Sequence, residues 1–396
     1  QKPFKFPPPE GFQPLNAANV RPVKVISRPN QYVGIVTYAS DGNPRDLILN
    51  FQPDLVWQKQ TSNSDKHFWT DCIRGAGNCF RTDTAEDEFA ADAVTSFNSN
   101  GWTVGSGSAN ANQNGEDYAA WAWKAGGTPT ATNTQSSGAM TANSVSVDGV
   151  LQSAYTPSGS PTIYPKKMSV GTKQGFSMVQ YIGNDTSGAT LPHGLTKAPD
   201  FFVTKADYDS REWQVYHQGL GNQQPIRLNT DQAAQSAHVS YFNNTSPSAS
   251  VVTFGNGGDA NQGGETPLTY VMYAWHDVPG LQKFGSFTGN ADSGGDGPFV
   301  ELGFRPALVW FKATTGTQPW NLYDSERGKI NPIEEGLLIN TNGSEFTGTA
   351  RVDYLSNGFK VRAPSGGNPN VATTYIYCAW AEAPTVNLFG GGANAR

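Results

Sequence analysis

One nine-residue pattern is written three times in this chain, and it limits the fold more than any other feature. Phe51-Gln52-Pro53-Asp54-Leu55-Val56-Trp57-Gln58-Lys59, Lys197-Ala198-Pro199-Asp200-Phe201-Phe202-Val203-Thr204-Lys205 and Phe304-Arg305-Pro306-Ala307-Leu308-Val309-Trp310-Phe311-Lys312 each run from a proline through an apolar stretch to a lysine. Such runs, rich in β-branched and aromatic residues, read as strands buried on both faces. The proline suits the strand's first position, where a missing N–H costs least. A second signal, Tyr-x-x-x-Ala-Trp, recurs at Tyr118–Trp123, Tyr270–Trp275 and Tyr375–Trp380. It follows the prolines at separations of 65, 71 and 69 residues (53 to 118, 199 to 270, 306 to 375). Two independent signals in near-constant register indicate three copies of one unit.

Strands spaced by Gly- and Asn-rich turns, with little helical periodicity, place the copies in the all-β class: three tandem related antiparallel β-sandwiches of concanavalin or jelly-roll type. Asn100-Gly101 and Asn357-Gly358, each flanked by aromatics, mark hairpins. The map is an extended Pro/Phe-rich arm over 1–31, sandwich repeat one over 32–125, and a Ser/Thr/Gly-rich connector over 126–174 with one edge hairpin near Ser144-Val145-Ser146-Val147. Repeat two covers 175–280, repeat three 281–384, and a flexible tail 385–396. All ten tryptophans lie inside repeats. The long connector leaves repeat one hinged, while the short spacer after Val278-Pro279-Gly280 makes repeats two and three abut rigidly. The acidic Ala85–Ala93 segment is read as one short helix.

Charged residues make up only 15% of the 396, against a usual value of about 25%. A net charge of −6 without any Lys/Arg cluster argues against a nucleic-acid partner. No apolar run approaches the roughly 18 residues of a membrane span. Gln1-Lys2-Pro3-Phe4 does not resemble a signal peptide, and without an initiator Met the chain reads as a piece of something longer.

Candidate chemistry is sparse. Asp-x-x-Arg-Gly occurs at Asp71/Arg74 and Asp324/Arg327, while repeat two has His217-Gln218-Gly219-Leu220-Gly221 there. A carboxylate three residues before an arginine makes a turn-pinning staple, and the alternative is half of a catalytic carboxylate dyad. Lys59, Lys205 and Lys312 read as strand-end lysines carrying their charge to water along an apolar stem. Cys378 falls on the frame position of Trp121 and Tyr273 and reads as a small buried hydrophobe; Cys72 and Cys79 are either bridged across a turn or free. The loops Asp292–Gly297 and Asn256–Asp259 are turn-formers without the carboxylate spacing of a calcium site. His67, His193, His217, His238 and His276 form no catalytic or metal-binding pattern, so no cofactor and no enzymatic activity are expected. Tyr155, Tyr164, Tyr208 and Trp102 are the aromatics the repeat explains least, and so the candidates for stacking on a sugar or a partner.

Several long strings resemble a known family. Gly11–Asn19 looks like the exit from a SPRY (concanavalin-like) domain in virion proteins of tailed, marine-type phages. Phe51–Lys59, Tyr118–Gly127, Val147–Tyr155, Ala274–Gly280, Tyr375–Ala383 and Ala393–Arg396 are similar to the repeats that follow it. The resemblance implies a phage structural or tail-fibre protein on the particle surface, without assigned catalytic residues. It further implies contact with other virion proteins and with itself (a homotrimer, on the fibre reading), and attachment to a host glycan or protein. The alternatives are a capsid decoration or other purely architectural protein and, less favoured, a polysaccharide-degrading tailspike. The SPRY body itself is missing from this sequence, and repeat two departs from the Asp-x-x-Arg-Gly pattern.

Overall fold

The computed structural model describes residues 25–106, 111–236, 238–264, 267–363, 369–386 and 392–393. Most of the arm expected over 1–31 and most of the tail over 385–396 therefore lie outside the described residues. The fold is all-β, as the repeat pattern predicts.

Repeat one contributes β1 (Val33–Ala39), β2 (Arg45–Ile48), β3 (Leu55–Gln60), β4 (His67–Asp71), β5 (Asn78–Phe80), β6 (Phe89–Ala90), β7 (Ser96–Asn98), β8 (Gly101–Val104) and β9 (Asp117–Trp123). The stretch up to the next Tyr-x-x-x-Ala-Trp holds β10 (Val145–Val147), β11 (Val150–Leu151), β12 (Lys167–Gly171), β13 (Phe176–Ile182), β14 (Ala189–Pro192), β15 (Phe201–Ala206), β16 (Gln214–His217), β17 (Ile226–Arg227), β18 (Val251–Phe254) and β19 (Thr269–Trp275), with two four-residue helices, α1 (Val239–Phe242) and α2 (Gly258–Asn261). Repeat three supplies β20 (Gln282–Thr288), β21 (Phe299–Glu301), β22 (Pro306–Ala313), β23 (Asn321–Asp324), β24 (Leu337–Leu338), β25 (Val352–Leu355), β26 (Gly358–Val361) and β27 (Thr374–Ala381).

The large sheets share one order. In β1-β9-β3-β4-β5-β6, β13-β19-β15-β16-β17 and β20-β27-β22-β23-β24 the opening strand pairs with the closing one, which pairs with the proline strand. Register is conserved too: Leu55 faces Trp123, Phe201 faces Trp275, and Leu308 faces Trp380 across the ladders. A small sheet lies over the outer face of each: β2-β8-β7, β14-β18 and β21-β26-β25. Between the layers are separate cores, built for example from Val56, Trp102 and Ala120, from Phe202, Phe254 and Met272, and from Val309, Phe359 and Ala379.

The alternate side chains of the same strands point the other way, and there the three sheets meet. Trp57, Trp69, Trp121, Trp123, Trp213, Trp275, Trp310, Trp320 and Trp380 belong to a single continuous core drawn from all three repeats. At its centre the three tryptophans closing Tyr-x-x-x-Ala-Trp touch pairwise: centroids are 5.4 Å apart for Trp123–Trp380, 6.3 Å for Trp275–Trp380 and 6.4 Å for Trp123–Trp275, all edge-to-face. Edge-to-face packing suits the ring quadrupole. This is why the proline strands are buried on both faces: one face closes its own sandwich and the other closes the ring.

Four expectations change. The sandwiches are not strung in a row with the first one hinged, because all three share the central core. The connector adds a strand as well as the edge hairpin: β10 and β11 form the hairpin, and β12 inserts between it and β13. Ala85–Ala93 is loop and the short strand β6, which bonds along β5 and leaves no room for a helix. Trp102 is fully buried between the layers, so it is not a surface aromatic.

Candidate functional site

Chemistry-bearing side chains gather at the junctions between repeats, and each junction is a variant of one design. Two residues past each lysine, a carbonyl accepts a backbone N–H from another repeat: Thr61 from Glu345 (2.9 Å), Asp207 from Glu88 (2.8 Å) and Thr314 from Ala234 (3.0 Å). Repeat one thus reaches repeat two, two reaches three, and three returns to one.

The side chain opposite each lysine does the same. Trp213 Nε1 donates to Arg81 O (2.9 Å) and Thr84 O (3.2 Å), and Trp320 Nε1 donates to Arg227 O (2.9 Å). The equivalent His67 has Nε2 at 3.1 Å from both Leu338 O and Thr341 O. Carbonyls only accept, so Nε2 carries the proton. Burial pushes the His67 imidazole down to about 3, which keeps it neutral.

The lysines are a correction. Lys59, Lys205 and Lys312 have no exposure to water. Each turns its ammonium back onto the carbonyl of the next residue and onto a loop: Lys205 Nζ reaches Ala206 O (3.0 Å) and Ala85 O (3.3 Å), and Lys312 Nζ reaches Ala313 O (3.2 Å), Asp231 O (3.1 Å) and Gln318 O (2.8 Å). Lys59 bonds Gln60 O and Asn63 O. The neighbouring repeat's loop closes over the strand end and cuts off the route to solvent. Desolvation brings all three down to about 8.

Deeper in lie the staples. Asp71 Oδ1 accepts from the N–H groups of Ile73 and Arg74, while its Oδ2 takes Arg74 Nε at 2.6 Å. Asp324 repeats this with Glu326, Arg327 and Arg327 Nε at 2.7 Å. Each arginine continues to a glutamate, Arg74 to Glu88 (3.0 Å) and Arg327 to Glu345 (2.7 Å). Each carboxylate also takes a donor from another repeat: Tyr273 OH at 2.6 Å on Asp71, and Trp121 Nε1 at 3.1 Å on Asp324. In the third junction His217 replaces the carboxylate, Leu220 the arginine, and Cys378 the donor. There His217 Nε2 bonds Tyr377 O (3.0 Å) and Nδ1 accepts from Gly219 N (3.0 Å). Charge and donor are lost together, as a buried carboxylate's hydrogen-bonding demand requires.

The cross-repeat donors Tyr273 and Trp121 are what sequence reasoning missed. Their signal was present in the alignment of the three copies, where position 378 is cysteine in the pairing that also lacks the aspartate. Asp71 and Asp324 belong to different junctions and form no dyad. The cysteines are free and buried. Asp292 Oδ1 accepts from Gly294 and Asp296 N–H groups, which is turn chemistry, and Asp259 lies in α2 bonded to Tyr241 OH. Among the described residues no cluster of His, Cys, Asp or Glu is placed to hold a metal ion. Tyr155 and Tyr164 pack partly buried on the repeat-two core, and only Tyr208 of the singled-out aromatics is exposed.

Residues 28–163 and 158–384 match the model of a family described as a domain of unknown function (DUF7483). No curated protein and no solved structure matches the chain.

Proposed function

We propose that this chain, which belongs to the DUF7483 family, is a virion structural protein of a tailed phage: a tail-fibre or appendage segment that holds the particle to its host by non-covalent binding of a surface glycan or protein. The observation that carries the reading is the way the junction chemistry is spent. The paired carboxylates, the junction histidines and the buried lysines are consumed in holding three sheets around one core, which is the economy of a rigid scaffold. Reactive sites keep groups uncommitted and open to a substrate. Low charge and the family resemblance of the long repeat strings support the particle-surface setting. Weak contacts at each body would be multiplied by copy number on the particle.

Immunogold labelling of particles in negative stain tests the placement. Label on the tail or its fibres is expected, and label confined to the capsid would replace this reading with a decoration protein. Saturable binding of the purified protein to host cells, with envelope polysaccharide left at its original length, is expected of an adhesin. Shortened polysaccharide would move the protein to the tailspike class. Light scattering decides whether the ring assembles further into the homotrimer that a fibre calls for.

A further inference from the structure

The three junctions differ in one respect that the shared design does not require. Each sheet begins with an opening strand whose outer edge faces the turn of the preceding repeat. In β1 the bond from Lys124 N to Tyr32 O and that from Ser40 N to Glu116 O commit the even-numbered residues to β9. Val33, Ile35 and Thr37 therefore turn their N–H and C=O groups outward. Their counterparts are Phe176, Met178 and Gln180 in β13, and Gln282, Phe284 and Ser286 in β20.

At the first-to-second junction that edge is covered by a strand. β12 pairs antiparallel with β13, setting Gly171 opposite Phe176, Ser169 opposite Met178 and Lys167 opposite Gln180. It lies on Gly126, whose N–H donates to Ser169 Oγ (2.9 Å), and its Lys167 Nζ reaches Ile73 O (3.1 Å) in the neighbouring turn. At the second-to-third junction side chains cover the edge. Phe284 N–H donates to Asp277 Oδ1 (2.8 Å), and Phe284 O accepts from Gln218 Nε2 (2.5 Å).

At the third-to-first junction neither arrangement is present among the described residues. β1 ends its sheet, and beside it is a cleft of about 440 Å³ lined by Val33, Ile35, Ser325, Glu326 and Ala383. Ser325, Glu326 and Ala383 are the counterparts of Cys72, Ile73 and Gly126, the surfaces on which β12 sits. Among the described residues nothing bonds the outward backbone groups of Ile35. The cleft continues past Thr37 into an acidic hollow lined by Asp117, Glu326, Glu335 and Glu345, the last of them paired with Arg327.

We propose that this cleft is a strand-docking site: an extended basic segment of a partner protein adds to β1 as β12 adds to β13, antiparallel, with a Lys or Arg opposite Thr37. An open edge offers a row of backbone donors and acceptors that a strand completes, the mode of β-augmentation. The surrounding carboxylates select the cation. Where β12 aims Lys167 at the carbonyl of Ile73, the incoming strand meets the exposed carboxylate of Glu326. A small residue belongs opposite Ile35, where Ser169 stands in the internal copy. The inference rests on the junction geometry and not on where on a particle the protein sits.

The test uses the full chain and a capped, labelled synthetic peptide reproducing residues 164–173 of this sequence. Saturable binding is expected, with slowed hydrogen exchange at the amides of Val33, Ile35 and Thr37. Glu326→Lys, at an exposed position, is expected to weaken binding about tenfold. A peptide carrying Glu at the Lys167 position should bind that variant better than it binds the parent. No binding at millimolar peptide, binding indifferent to Glu326→Lys, or binding without protection of those amides overturns the proposal. So does protection already present in the free protein: if it grows with concentration the occupant is a second copy, and if not it is the chain itself.

Discussion

At the residue scale the junctions rest on buried polar groups that have traded water for one another, and their cost surfaces when a partner is removed. Asp71→Asn leaves the buried Arg74 with Glu88 alone to balance its charge, and a loss of about 3–5 kcal/mol is expected in urea unfolding. A double-mutant cycle of Asp71→Asn with Tyr273→Phe should show coupling of about 1–3 kcal/mol, because the 2.6 Å bond joins them across repeats. His67 carries a pH signature. Its folded value near 3 lies below the ordinary 6.5, so its contribution is complete above pH 6.5 and is lost as pH falls toward 3. Asp54, Asp207 and Asp277, raised to about 6 by burial, act in the opposite sense over part of that window. The informative quantity is therefore the difference between wild type and His67→Trp, which installs the donor that Trp213 and Trp320 supply. That difference should shift in favour of the variant between pH 6.5 and 4 in denaturation midpoints. The aspartate and arginine of each staple stood out in the repeated Asp-x-x-Arg-Gly, but the lysine and histidine roles did not: a lysine or histidine at a strand end looks the same in sequence whether water or another repeat lies beyond it.

At the scale of single elements, the Asn-Gly hairpins turn out to need glycine for a reason outside the turn. A Cβ on Gly101 would sit 1.9 Å from Leu47 O, and one on Gly358 2.0 Å from Val300 O, each a carbonyl of the strand paired alongside. Gly77 also has positive φ but nothing near its Cβ position. Gly101→Ala is therefore expected to cost about 2–3 kcal/mol and Gly77→Ala about 1 kcal/mol, compared by thermal unfolding. The proline strands and the Tyr-x-x-x-Ala-Trp strands were plain in the sequence, since they are apolar or small at nearly every position before the closing lysine or tryptophan. Period-two reading cannot say which buried face belongs to the sandwich and which to a neighbour, and Trp102, outside the recurring frame, read as a surface aromatic although it fills the sandwich core. β12 escaped notice because Lys167-Met168-Ser169-Val170-Gly171 is short, weakly apolar and set among turn-formers.

For the whole molecule, a shared core means shared fate. Tryptophans from three repeats occupy one continuous interior, so no repeat can open without exposing the others. A single calorimetric transition is expected, coincident with the loss of tryptophan fluorescence anisotropy and of β-sheet ellipticity. Trp380→Ala should cost about 3–5 kcal/mol and shift that one transition instead of splitting it. Two resolved transitions would show that the repeats melt separately. The recurring strands were legible from spacing alone. Their arrangement was not, because closure into a ring depends on which loop reaches which carbonyl, and those loops share no recognisable wording.

The unequal junctions give the body a heading. Three identical subunits around an axis would present the same notch three times, and any of three azimuths would serve a ligand equally. Here one polypeptide goes once round, and among the described residues the junction beside β1 is the one where no strand or side chain bonds the opening strand's outer edge. Whatever seats there indexes the rotation of the whole ring, as a keyway fixes a wheel on its shaft.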